Sequence, residues 1–348
     1  MATYKGINGF AVQSVASDPS PLDEGQVWYN NATYAFKLAA VTTAGTWASG
    51  GALGTGRYSL GGFGTQTATV AVGGYNVVSP VVINLTNTEN YNGTSWTASG
   101  SLATGRRYLL GIGFGTQTAG AIYGGVTNTT LPQTYSSATE EYDGSSWTSG
   151  GTLNTAKGNA SNAGTQTAAV VFGGQDKTPG TGSVALTATE LYNGTSWTTN
   201  PATLNTGRSS LAASGKGTQT AALAFGGYNG PPTYLTSTES WNGTSWTNVN
   251  SLNTGRYGLG GGGTQTLALA FGGTTTPGAA TAATELWNGT SWTSNPNSMP
   301  TTIQSGAGAG TQSDGISFGG YSNGGSPFAV THEFTGPGVP QTKTITTS

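Results

Sequence analysis

The sequence predicts an all-β chain, a six-bladed β-propeller of four-stranded antiparallel blades closed by pairing its N-terminal and C-terminal strands. Three observations carry this. One motif recurs six times at a period near fifty residues. Each copy holds short β-favouring runs separated by turn residues. The two ends of the chain hold complementary fragments of one copy. The motif is Gly-Thr-Gln-Thr, an apolar run and a Gly-Gly pair, at Gly64 to Gly74, Gly115 to Gly125, Gly164 to Gly174, Gly217 to Gly227 and Gly263 to Gly273. A sixth copy, Gly310 to Gly320, has Ser313 for the second threonine, and successive copies begin 51, 49, 53, 46 and 47 residues apart.

The fourth copy, Gly207 to Trp246, gives the elements in order. Arg208 opens a first strand over Ser209 to Ala213, ending near Gly215. Thr218 to Phe225 alternates small and large apolar residues as a second strand, closed by Gly226-Gly227. Ser237 to Trp241 forms a third. Asn242-Gly243 predicts a two-residue type I′ turn, since both residues tolerate positive φ, and Thr244 to Thr247 returns as the outer strand. The turn recurs at Asn92-Gly93, Asp143-Gly144, Asn193-Gly194 and Asn288-Gly289, each between an aromatic (Tyr91, Tyr142, Tyr192, Trp287) and a tryptophan (Trp96, Trp147, Trp197, Trp292). These aromatics are expected to wedge between neighbouring blades. Trp47 stands ten residues before Arg57, as Trp96 does before Arg106, so it is an outer strand without the inner strands of its own blade. The last copy, Thr301 to Gly336, lacks an outer strand. Joining the two completes a sixth blade.

Glycine accounts for 59 of the 348 residues, but it is phased with the repeat, which separates this chain from low-complexity sequence. Cysteine is absent, so disulfides and thiolate metal sites are excluded. No apolar run approaches membrane-spanning length, and Met1 to Val12 lacks a secretion signal, which predicts synthesis and assembly in a cytoplasm without membrane insertion. Eleven bases against thirteen acids, without a basic cluster, argue against nucleic acid as a partner.

An apolar strand ending in Gly-Gly, then an aromatic, a turn and Trp, resembles the kelch repeat over about residues 45 to 336. Kelch repeats commonly begin with Arg, which Arg57, Arg106, Arg208 and Arg256 match, with Lys157 in the third copy and Thr302-Ile303 in the sixth. The Asp-box of sialidase propellers does not fit, because its acid is replaced by Tyr91, Tyr142, Tyr192, Trp241 and Trp287. Outside the repeats, Ala16-Ser17-Asp18-Pro19 through Glu24-Gly25-Gln26-Val27-Trp28-Tyr29-Asn30 resembles a short hairpin element of bacteriophage tail and fibre proteins. These resemblances imply a virion surface protein, tail, fibre or capsid-decorating, made in the host cytoplasm. Residues 1–24 would be an attachment arm to other virion proteins, 25–338 the propeller and 339–348 a tail, with homo-oligomerisation open.

Charge is scarce, yet it is phased. Glu89, Glu140, Glu190, Glu239, Glu285 and Glu333 are assigned to one repeat position, and Arg57, Arg106, Lys157, Arg208 and Arg256 occupy another. Buried charges require partners, so each Glu is expected to accept from an Arg or from backbone N–H groups near the blade interface. The rival readings are a protein-binding kelch scaffold and a soluble lectin: six-bladed fucose-binding propellers, which this chain resembles only in residue type, use Arg, Glu and an aromatic in pockets between blades. The loops from each Gly-Gly pair to the third strand vary most, and recognition concentrates on such loops. Tyr75, Tyr135, Tyr228, Tyr234 and Tyr321 are therefore candidate contacts with a host glycan or protein. Catalysis lacks a constellation, since His332 is the sole histidine and no nucleophile elbow or metal-ligand spacing occurs. The expectation is a binding protein without cofactor or metal.

Overall fold

The computed structural model describes residues 12–20, 26–41, 44–78, 81–178, 182–230, 234–276, 278–323, 325–338 and 340–345. Every regular element among them is a strand, and no helix long and apolar enough to cross a membrane occurs among them. Contacts divide the chain into residues 1–45 with 336–348, and residues 46–335. This division falls at 45/46 and 335/336 rather than at 24/25 and 338/339. The reason is strand pairing: Ala35–Val41 pairs with Val27–Asn30 on one side and Pro340–Thr344 on the other, and among the described residues no repeat strand joins that sheet.

The smaller unit is one four-stranded sheet, Gln13–Val15, Val27–Asn30, Ala35–Val41 and Pro340–Thr344 in that order, with the first pair parallel. Asp18 ties it together, accepting from Trp28 Nε1 at 3.0 Å and from Asn30 Nδ2 at 2.8 Å. These bonds hold the Asp18 carboxyl below its ordinary pKa. Asn30 Oδ1 in turn caps the turn at Ala32 and Thr33. Residues 1–11 and 21–24 of the expected arm, and 339 and 346–348 of the expected tail, lie outside the described residues.

The larger unit contains one four-stranded antiparallel sheet per repeat, with strands in chain order. The first is Gly61–Thr65, Ala68–Val72, Thr88–Tyr91 and Trp96–Ser99. The sixth takes Ala307–Gly310, Asp314–Phe318 and Thr331–Thr335 from one end of the chain and Thr46–Ser49 from the other, with Phe334 opposite Trp47. In the fourth, only Ala212–Ala213 and Ala222–Phe225 remain of the longer first and second strands expected. Thr218 and Ala221 bond reciprocally there in a tight turn, and Ser214 Oγ takes the N–H of Leu223, so the ladder starts late.

The outer turn differs from the two-residue type I′ expected. Trp241 pairs with Trp246, so four residues intervene, and only Gly243 has positive φ (+92°). Asn242 acts through its side chain: Oδ1 accepts from the N–H of Thr244 at 3.0 Å and of Ser245 at 2.8 Å. An Asx cap replaces the positive φ at the first turn position.

The Gly-Thr-Gln-Thr motif owes its Gln to the junction between sheets. Gln117 Nε2 donates to the carbonyls of Thr69 and Tyr91 in the preceding repeat, and Gln166, Gln219 and Gln312 each do the same to the repeat before their own. Gln265 bonds Trp241 O and Ser240 Oγ. Gln66 reaches Gly315 and Phe334 of the sixth repeat. The outer-strand tryptophans follow the same rule. Trp147 Nε1 donates to Thr88, Trp197 to Thr139, Trp246 to Thr189, Trp292 to Thr238, Trp47 to Thr284 and Trp96 to Thr331. Each indole also packs on an aromatic of the preceding repeat, as Trp246 does on Phe172 at 4.6 Å. Such pairs contribute about 0.5–1.5 kcal/mol beyond burial.

The second glycine of each pair, at φ between +87° and +103°, donates its N–H to the carbonyl of the residue that opens the next repeat: Gly74 to Arg106, Gly125 to Lys157, and so on to Gly320 with Arg57. First strands pack side by side, the sixth against the first, and one narrow cavity touches all six through Gly62, Gly113, Asn162, Gly215, Gly261 and Gly308. Glycine is required there: a Cβ on Gly308 would stand 2.8 Å from the carbonyl of Gly261.

Candidate functional site

Two groups of phased residues compete for a functional role, and burial separates them. The Arg–Glu pairs are interior. Arg57–Glu89, Arg106–Glu140, Lys157–Glu190 (2.7 Å), Arg208–Glu239 (2.5 Å) and Arg256–Glu285 (2.6 Å) are ion pairs whose side chains are at most 7% exposed. Arg208 shows what a guanidinium does at this position, which Lys157 fills in the third repeat. One nitrogen pairs with Glu239, another donates to the carbonyls of Gly226 and Ser237, and Nε donates to Thr206. The other oxygen of Glu239 accepts from the N–H of Asn205 at 2.7 Å. Burial pulls the guanidinium of Arg208 down from its ordinary pKa, and Glu239 opposes that shift. These groups spend most of their hydrogen bonds on one another and on neighbouring backbone.

Glu333 does not belong to this set. Thr88 and Thr331 are the equivalent indole acceptors, so the partner of Glu89 in the sixth repeat is His332. The residue in the Arg position there is Ile303, whose carbonyl binds Gly273 as the others bind theirs. Pro300, lacking an N–H, replaces the donor that Asn253 supplies to Glu285. All three partners change together. Glu333 turns to the opposite face of its strand, where it accepts from the Tyr91 hydroxyl at 2.6 Å. His332 is 3% exposed and neither ring nitrogen has a hydrogen-bond partner among the described residues.

The tyrosines lie elsewhere and stay half-buried. Each follows a Gly-Gly pair or pairs with a residue that does. Tyr75 bridges to Tyr58, Tyr228 to Ser209 and Tyr234, Tyr135 to Val126, and Tyr321 to Gln304. Tyr58 meets Tyr75 edge-to-face at 4.8 Å and Tyr321 in a tilted contact at 4.7 Å, joining the first and sixth repeats. Tyr257 gathers Tyr234 and Tyr228 at 4.8 and 5.7 Å, joining the fourth and fifth. Tyr135 donates to Gln133 and accepts from Gln175, joining the second and third. Burial raises the Tyr58, Tyr257 and Tyr321 phenol pKa values, so these hydroxyls stay neutral. Among the loops that carry this face, residues 79–80, 179–181, 231–233, 277 and 324 lie outside the described residues.

Tyr58, Arg107, Tyr108 and Tyr257 join these tyrosines without having been expected there. Each stands one or two residues after the Arg that opens a repeat, and that spacing alone does not say which side of the chain it takes. Arg107 lies 5.2 Å from the Tyr75 ring centre and 5.4 Å from that of Tyr108.

Beneath these residues runs a ring of backbone bonds. Ser59, Tyr108, Asn159, Ser210, Gly258 and Ser305 all have φ between +50° and +61°. Ser59 N–H donates to Ser305, Ser305 to Gly258, Gly258 to Ser210, Ser210 to Asn159 and Asn159 to Tyr108, each at 2.7–2.8 Å. Leu109 N–H returns to Ser59 at 3.1 Å. Five non-glycine residues accept a left-handed conformation costing roughly 1–2 kcal/mol each because the cycle satisfies their backbone groups. The face is thus carried on a cycle of backbone hydrogen bonds.

No protein-family model and no curated protein matches this chain.

Proposed function

We propose that the six repeat sheets are blades of one closed kelch-type propeller, and that the chain is a non-enzymatic surface protein of a phage virion. The unit containing Asp18, Trp28 and Asn30 docks to the particle, and the tyrosine face recognises a receptor on the host. Closure is supported by four sets of bonds that each return from the sixth repeat to the first, through Gln66, Trp96, Gly320 and Ser59. The binding role rests on one observation: half-buried tyrosines from neighbouring repeats meet on short loops above a hydrogen-bonded frame. Rings that are partly exposed and already immobilised lose little entropy when a ligand stacks on them. A non-enzymatic role is favoured by the burial of His332 inside a sheet, where no substrate atom reaches it.

Immunogold electron microscopy of particles from the source material, with antibody raised against residues 46–335, tests the location. Label on tails or capsid surfaces is the expected result. Label confined to cells or soluble material would remove the virion reading.

A further inference from the structure

We propose that Lys216 holds one small monatomic anion, with chloride as the physiological ligand, where the space between the six first strands opens beside the Gly-Thr-Gln-Thr turns.

The site starts from a local irregularity. Phe63, Phe114, Ala163, Gly262 and Ala309 stand one residue before the motif glycine in five repeats, and all are buried. Lys216 takes this place in the fourth repeat, and it is partly exposed. The first strand of that repeat ends at Ala213, and the N–H of Gly217 returns to Ser214 O at 2.7 Å in a tight turn. The turn keeps residue 216 out of the ladder. Its own N–H donates to Gly263 O in the fifth repeat at 2.9 Å, while its Nζ reaches Gly115 O in the second at 3.4 Å. The side chain thus passes the third repeat and runs along the end of the space between the strands. A cavity of about 20 Å³ lies against it, bounded by Gly62, Gly113, Gly215, Gly261 and Gly308, which also line the cavity that touches all six first strands.

Chemistry supplies the ligand class. An ammonium carries three donors, and Gly115 O, at the long end of hydrogen-bond range, is its one side-chain acceptor among the described residues. The ion pairs among the described residues leave Lys216 out. Desolvation pulls its pKa below the ordinary lysine value with no carboxylate opposing the shift, a setting in which a counter-ion is favoured. Size then selects among anions. About 10–15 Å³ holds one water, so this cavity admits an atom-sized ion and excludes a carboxylate, a phosphate or a sugar. The Gly115 carbonyl at the same opening disfavours an anion, so binding depends on the ammonium.

The test is thermal unfolding of the full chain in sodium chloride against sodium gluconate at matched ionic strength. Raising chloride from about 1 to about 100 mM should lift the midpoint ~2 °C above the gluconate control, the shift given by a ligand with a Kd of ~10 mM. Bromide should act as chloride does, and Lys216→Met should remove the difference. Crystals soaked in bromide should give an anomalous peak beside Lys216 Nζ. Equal midpoints in chloride and gluconate overturn the proposal, and so does a chloride effect that Lys216→Met retains. Should Lys216→Met fail to fold, the bromide map of the native chain decides, and peaks confined to other places on the surface overturn the site.

Discussion

The side-chain amide of Gln66 donates to the carbonyl of Phe334 at 2.8 Å, across 268 residues of chain. Its other bond goes to Gly315 at 2.9 Å. Gln166 makes the same two contacts inside the array, to Gly120 and Tyr142. Each pair of bonds satisfies two carbonyls beside an inter-repeat junction, worth about 2 kcal/mol together. Gln66→Ala and Gln166→Ala should therefore lower the unfolding free energy by similar amounts in urea titrations. A negligible loss for Gln66→Ala beside a full loss for Gln166→Ala would mean that the seam between first and sixth repeats is open in solution.

Arg208 and Glu239 form the most enclosed of the ion pairs, both at 0% side-chain exposure. Removing one member leaves an uncompensated buried charge, so Arg208→Ile should cost about 3–5 kcal/mol. The sixth repeat shows the alternative, with Ile303 and His332 at these positions. Adding Glu239→Leu to Arg208→Ile should recover about 2 kcal/mol, because a hydrophobic pair of similar volume avoids the desolvation cost. Chemical denaturation of the two single mutants and the double mutant measures the coupling; additive losses would show that the pair is not energetically linked.

Asn242 caps its turn through Oδ1 rather than through its own backbone conformation. Asn242→Ala removes both acceptor contacts and should cost about 1 kcal/mol, whereas Asn242→Asp should be nearly neutral, as Asp143 fills the equivalent place with the same bonds. Thermal midpoints of the two variants discriminate: an equal drop in both would point to backbone strain instead of capping.

How much was legible follows from the kind of signal each residue gives. The strand repeat and the pairing of Trp47 with the last copy were readable, because period and missing fragments are properties of the string. The assignment of Glu333 was not. Its repeat carries adjacent His332 and Glu333, and only the Trp96 bond to Thr331 fixes which of them aligns with Glu89. A one-residue shift turns a strand residue to the other face, so residue type alone misled. The turn failed similarly, since Asn-Gly serves both a type I′ turn and an Asx-capped loop. The tyrosines on variable loops were found, but Tyr58 and Arg107 were not, because their side of the chain depends on bridges between non-adjacent segments.

His332 is buried in the strand that pairs with Thr46–Ser49 and lacks partners on both ring nitrogens among the described residues. Where the other repeats place a cation and a backbone donor, this one places Ile303 and Pro300, while Glu333 points away to Tyr91. Burial holds the folded pKa of His332 below the unfolded value near 6.5. The unfolded chain therefore binds the proton more tightly. The neutral ring's contribution is fully present above about pH 6.5 and is lost as pH falls from there toward the folded pKa. The thermal midpoint should decline on acidification through that window, and His332→Leu should flatten the decline without abolishing folding, since the neutral buried ring has no hydrogen-bond partner to lose among the described residues. A variant whose midpoint falls as steeply with acid as that of the native chain would assign the acid sensitivity to other groups.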